Sequence, residues 1–147
     1  ADKLYVASNG HGARLAVFDL KQRKLTELTE IPGDSGEVDR ISMGPDGELY
    51  LGLRWSKPRL GRYDPKVGKF EYPGMISKQS RLCRVSVATD GRVFCGVSTH
   101  AQLWIYDPKT DQEQRMIEKG LDGLAIDPAG NFYCKSGRRM VQYRRTK

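Results

Sequence analysis

Four short segments of this chain are versions of one another. They are "DKLYVAS" at 2–8, "GELYLGL" at 47–53, "GRVFCGV" at 91–97 and "GNFYCKS" at 130–136. Their aromatics Tyr5, Tyr50, Phe94 and Tyr133 are spaced 45, 44 and 39 residues apart. A second segment follows each one: "LAVFD" at 15–19, "LGRYD" at 60–64, "LWIYD" at 103–107 and "MVQYR" at 140–144, the last keeping the aromatic and losing the Asp. Turns precede three of the first set, "GPDG" at 44–47, "ATDG" at 88–91 and "DPAG" at 127–130. A spacing this regular requires that one supersecondary unit be built repeatedly, so the unit dictates the fold.

The unit reads as four short strands. Its segments are rich in Val, Ile, Leu, Tyr and Phe and are bounded by Gly, Pro and Asp clusters, as antiparallel hairpins are. No segment carries a helical apolar stripe over more than about two turns; "TDQEQRMIEKGL" at 110–121 comes nearest, with few apolar residues. "LYLGL" and "VFCGV" do not alternate cleanly between apolar and polar, so both faces of those strands are expected to be buried. Four strands per period near 40–45 residues, covered on both sides by neighbours, describe an all-β protein of β-propeller type. The phrases "LDGLAIDPAGNFY" (121–133) and "LWIYDPKT" (103–110) resemble the NHL, gluconolactonase-like and streptogramin-lyase-like propellers, over nearly the whole chain. The resemblance specifies architecture strongly and activity weakly. No Trp-Asp dipeptide marks a WD-type ring.

In the strand nomenclature of those families, A is innermost and D outermost. The chain then starts on a B strand and stops on a C strand, with about fourteen strands in all. It reads as a single propeller segment, 1–147, with blades at about 1–37 (partial), 38–82, 83–121 and 122–147 (partial). Three and a half blades cannot close a ring of the usual four to eight. Open ends would expose strand edges and apolar sheet faces. The expected partners are therefore the remaining blades, from the same longer chain or from another chain. Two copies offer about twenty-eight strands, but a C-strand end joined to a B-strand start omits a D and an A. The arithmetic thus suits a fragment or a hetero-assembly better than a homodimer.

The net charge of +7 favours acidic partners, an acidic polysaccharide among them. No apolar run approaches a membrane span, so no membrane partner is expected. Signal-peptide patterning is missing from the residues present, while a start at Ala1 rather than Met is compatible with removal of an upstream segment. Cys83, Cys95 and Cys134 form no C-x-x-C pair, and an odd count argues against a disulfide framework. Cys95 and Cys134 share one repeat position with Val6 and Leu51, so they read as packing residues. No cofactor is expected: there is no Gly-rich phosphate loop and no Gly-x-Ser-x-Gly elbow.

The family topology implies that the D–A and B–C loops share one face, which usually holds the ligand. His11 and His100 fall in B–C loops there, beside Arg54, Trp55, Lys57 and Arg59 of "RWSKPR". The D–A loops add Asp34, Glu37, Asp39, Ser80, Arg81 and Arg84. The first expectation is a binding scaffold, with Arg54, Lys57, Arg59, Arg81 and Arg84 pairing with an acidic ligand and Trp55 stacking on a sugar or base. The alternative is a lyase acting on uronate-containing glycans. There His11 or His100 would be the base, Arg54 or Arg84 would neutralise the carboxylate, and Tyr50 or Tyr63 would be the acid. A lactonase-type metal set would draw on Asn9, Glu37, Asp39 and Asp122, of which only the last two match in the repeat; no metal is assigned.

Overall fold

In the computed structural model the described residues are 2–8, 10, 12–32, 37–54, 59–73, 82–97, 102–117, 122–127, 131–136 and 138–143. They contain fourteen strands and no helix, hence no helix long and apolar enough to cross a membrane. The first sheet is β1 (Lys3–Ala7), β2 (Arg14–Asp19) and β3 (Lys24–Glu30). The second is β4 (Glu37–Met43), β5 (Leu49–Arg54), β6 (Arg59–Asp64) and β7 (Lys69–Glu71). The third is β8 (Leu82–Val87), β9 (Val93–Val97), β10 (Gln102–Asp107) and β11 (Gln112–Ile117). The fourth is β12 (Asp122–Ile126), β13 (Phe132–Ser136) and β14 (Arg139–Tyr143). Each sheet is an antiparallel meander in chain order, with three, four, four and three strands. Sheets touch mainly through β4, β8 and β12, the first strands of their units, which are therefore the innermost. This is the propeller arrangement, in about three and a half blades.

Turn chemistry repeats with the blade. Gly47 and Gly91 close the turns before β5 and β9 at φ of 88° and 92°, a backbone region that a side chain would strain. In the turns after β2, β6 and β10, a carboxylate oxygen of Asp19, Asp64 or Asp107 accepts the backbone N–H two residues on. These Asp residues are turn formers, as Asx-turn chemistry explains.

The core divides into three apolar layers, one between each consecutive pair of sheets. Strand alternation sorts the side chains into a front face, toward the next sheet, and a back face. The first layer sets Ala13, Leu15 and Ile31 against Val38, Leu49, Leu51, Leu53 and Tyr63. The second sets Tyr50 and Leu60 against Val85, Val93, Cys95 and Tyr106. The third sets Ala88, Phe94, Leu103 and Ile105 against Phe132 and Cys134. One rule generates all three. The aromatic of the B strand and the Leu opening the C strand point forward; the B-strand residues flanking that aromatic, and the aromatic ending the C strand, point back. Both faces of the two central sheets are thereby covered, as the unalternating strands require.

The expectation for Val6 needs correcting. Leu51, Cys95 and Cys134, at its repeat position, are buried, but Val6 is exposed because, among the described residues, no sheet lies behind the first one. Cys95 and Cys134 are buried free thiols, and burial raises the thiol pKa of both. The fourth strand of the second blade is short and ends at Glu71. Pro73, which has no N–H for a ladder, follows closely, and the Tyr72 hydroxyl turns away to donate to the Pro32 carbonyl.

Truncating an interlayer residue removes contacts on two sheets at once. Leu60→Ala is expected to cost about 2–5 kcal/mol, whereas Val67→Ala, at an exposed turn, is expected to stay within about 0.5 kcal/mol. Urea unfolding followed by circular dichroism measures both.

Candidate functional site

The alternation of strand direction sorts the connections onto two ends of the molecule. Those after β1, β3, β5, β7, β9, β11 and β13 share one end, which carries the expected loop face. The turns after β2, β4, β6, β8, β10 and β12 share the other.

Among the described residues a set of cations lies on inner and middle strands, with Arg59 at the loop end of β6, Arg84 in the loop-side half of β8 and Arg40 at the middle of β4. Arg59 opens β6 with its guanidinium 4.9 Å from the centre of the Tyr72 ring. Tyr72 reaches across to Pro32, so this stack ties the first blade to the second. Arg84 lies on β8 opposite Gly96, and Arg40 lies on β4 opposite Gly52. The two arginines follow the same irregularity in their strands, at Val38/Arg40 and at Leu82/Arg84. Since β4 and β8 are neighbours, the two arginines occupy equivalent places on adjacent inner strands. Arg40 is exposed and Arg84 half-buried. Sequence reasoning missed Arg40. The signal was present in "VDRIS" (38–42) against "LCRVS" (82–86), an alignment of innermost strands.

His11, His100, Trp55, Lys57 and Arg81 lie outside the described residues, as do Asn9, Asp34 and Ser80. Arg54 closes the backbone of β5, its side chain lying outside what is described. Of the remaining expected residues, Arg59 opens β6 at the loop end, while Glu37, Asp39 and Arg84, expected in D–A loops, lie on strands: Glu37 opposite Arg54, Asp39 exposed at the β4 irregularity and Arg84 within β8. Asp122 begins β12 opposite Lys135. Among the described residues no group of three or more His, Cys, Asp or Glu is placed to hold a metal ion.

Tyr50 is found elsewhere. Its ring is buried between the second and third sheets, and its hydroxyl donates to Glu48 Oε2 at 3.0 Å, toward the turn end. Arg62 clamps the same carboxylate, Nε at 2.7 Å and a terminal nitrogen at 2.5 Å, and also pairs with Glu71 at 3.2 Å. Burial, then the bond to Glu48, raises the Tyr50 pKa; the bond to Glu48 raises that of Arg62. A phenol held so firmly in its neutral form, and away from the loop end, is a core residue and not a proton donor for that face. Tyr63, the other expected acid, is buried in the first layer, and burial raises its pKa also.

A groove of about 290 Å³ opens between the second and third blades, lined by Arg62, Glu71, Tyr72, Tyr106 and Asp111, with Pro73 and Pro108 at its walls. It lies beside β7, which has only three residues. The Tyr106 hydroxyl donates to Asp111 at 2.9 Å. Burial, then that bond, pushes the Tyr106 pKa up to about 12. With Arg62 already neutralised by Glu48 and Glu71, the groove is an interblade polar network rather than a cation site.

No protein-family model matches the sequence, and no curated protein matches it. Solved structures do. The extracellular domain of BT4673 from B. thetaiotaomicron, described as a one-component system, is 22% identical, with a TM-score of 0.71 over 99% of this chain and 20% of that one. Virginiamycin B lyase from Staphylococcus aureus is 13% identical, with a TM-score of 0.74 over 97% of this chain and 52% of that one. A structure assigned as a gluconolactonase is 13% identical, with a TM-score of 0.67 over 97% of this chain and 56% of that one. Identities this low establish the fold alone. The chain spans between a fifth and a little over half of the length of these structures.

The tyrosine network makes the fold sensitive to alkali. A phenol whose pKa is raised on folding keeps more protons than it does unfolded, so stability falls as pH rises. The contribution of Tyr50 and Tyr106 is complete below their ordinary value of 10.0 and is lost as pH climbs through about 12 and beyond. Unfolding by urea at pH 8 to 12 is expected to show this decline. The double change Tyr50→Phe, Tyr106→Phe is expected to flatten it.

Proposed function

We propose that this segment belongs to a propeller binding scaffold that takes an acidic or carbohydrate ligand at the loop end. The observation that carries the reading is the pair Arg40 and Arg84, matched in position on adjacent inner strands. Planar guanidiniums pair with carboxylate, sulfate or phosphate through two parallel hydrogen bonds. Two of them at one spacing suit a ligand with repeated anionic groups. Arg59 stands at the same end, and the net charge of +7 draws such a ligand in. Arg54, Trp55, Lys57 and Arg81 would extend this surface, with Trp55 stacking on a sugar ring. Further blades, from the same longer chain or from another chain, would complete the ring around it.

The lyase reading takes second place. His11 or His100 would still have to serve as base, and neither Tyr50 nor Tyr63 is free to act as the acid. Its signature would be a growing absorbance of unsaturated uronate product, abolished by His11→Ala or His100→Ala.

The test of the scaffold reading is titration with heparin and with polygalacturonate at several salt concentrations. Binding without turnover, weakening as salt rises, is expected. Arg40→Ala with Arg84→Ala is expected to weaken it about tenfold, the scale of two solvent-screened ion pairs. Absence of binding at low salt, or equal binding by the variant, would contradict the proposal.

A further inference from the structure

Several arginines of the described residues have their charge met by a carboxylate. Arg14 pairs with Glu27 at 2.8 Å, Arg62 with Glu48 and Glu71, and Arg92 with Asp90 at 2.8 Å. Arg59 has a ring and no such partner. It is half-buried at the start of β6, with its guanidinium carbon 4.9 Å from the centre of Tyr72. Among the described residues no carboxylate takes its N–H groups. The Tyr72 ring is itself fixed. Tyr63, Phe70 and Tyr72 stand in file along the back of the second sheet, from the buried first layer toward the loop end. Tyr63 and Phe70 have ring centres 6.5 Å apart, and Phe70 meets Tyr72 edge-on at 5.3 Å and 69°. The Tyr72 hydroxyl donates to the Pro32 carbonyl, which holds the far side of the ring. Gly61 makes room for the file. A Cβ there would lie 2.7 Å from Phe70 Cζ, whereas its repeat counterparts Ala16, Trp104 and Val141 all carry one.

We infer that Arg59 is the anchor for a carboxylate or sulfate group of the ligand, and that Tyr72 is its positioning residue. The inference rests on the acidic-ligand reading of the loop end and names the contact that the fold prepares in advance. A ring face attracts the charge of a guanidinium without neutralising it, so the five N–H donors still lack an anionic acceptor. Arg14 would have to give up Glu27 to take a ligand, and Arg62 would have to give up two carboxylates; Arg59 gives up nothing. An arginine already seated on a ring also loses less side-chain freedom when a ligand arrives. Lysine could not replace it, having neither the planar fork for a carboxylate nor the flat surface for the ring. The tie to Pro32 adds a second consequence: the side chain that orients the anchor also joins the first blade to the second.

Titration of the 147-residue chain with polygalacturonate at low salt tests this. Arg59→Ala is expected to weaken binding about fivefold, the upper scale of one solvent-screened ion pair. Tyr72→Leu removes the ring and no charge. It is expected to weaken binding about threefold, the scale of an exposed cation–π contact, and to have no further effect once Arg59 is alanine. Tyr72→Phe keeps the ring and should recover most of that loss. A Tyr72→Leu loss of equal size with and without Arg59 would make Tyr72 a structural residue only and overturn the inference. Full binding by Arg59→Ala would overturn it too. In both cases the acidic-ligand reading would stand. A parent chain that does not bind at low salt would overturn the reading and the inference together.

Discussion

The structure depends on burying both faces of a β-sheet. A lone four-stranded meander has one core to offer and two apolar sides to hide. Stacking successive sheets around an axis solves this, since each layer of side chains serves two sheets. Leu60 and Tyr50 on one side, with Val93 and Cys95 on the other, form such a layer. The effect is proportional to apolar area removed from water, and it recurs at each of the three described blade junctions. That is why the chain keeps the same residue types at the same places over 45, 44 and 39 residues.

This physics made the fold legible. Strand number, order and sheet membership follow from aligning the B and C strands, because those strands carry the interlayer side chains and their types are restricted by packing. Tyr5, Tyr50 and Phe94 sort to the front for the same reason. What a repeat alignment cannot carry is position in the stack. Val6 and Cys95 look equivalent, but one has a sheet behind it and the other does not. Strand ends are also set locally: β7 stops where Pro73 removes a donor and Tyr72 finds the Pro32 carbonyl.

For the candidate site, charge and loop placement singled out Arg59 and Arg84; the structure puts the first at the start of β6 and the second inside β8, and their role belongs to the proposal. Tyr50 shows the limit. Its repeat position fixes which face of the sheet it occupies, but the direction of its hydroxyl is decided by the carboxylate of Glu48, and Arg62 fixes that carboxylate in turn. Arg40 escaped because innermost strands repeat less visibly than the aromatic-bearing ones. Only the shared register opposite Gly52 and Gly96 makes it the partner of Arg84.

The central claim is that these strands form separate stacked sheets and not one continuous sheet. Isotope-edited nuclear Overhauser spectra test it most directly. The account predicts methyl contacts from Leu60 to Val85 and Val93, and from Leu103 to the Phe132 ring, with no backbone Hα–Hα contacts between β3 and β4 or between β7 and β8. Ladder contacts joining those strand pairs, without the methyl contacts, would contradict it.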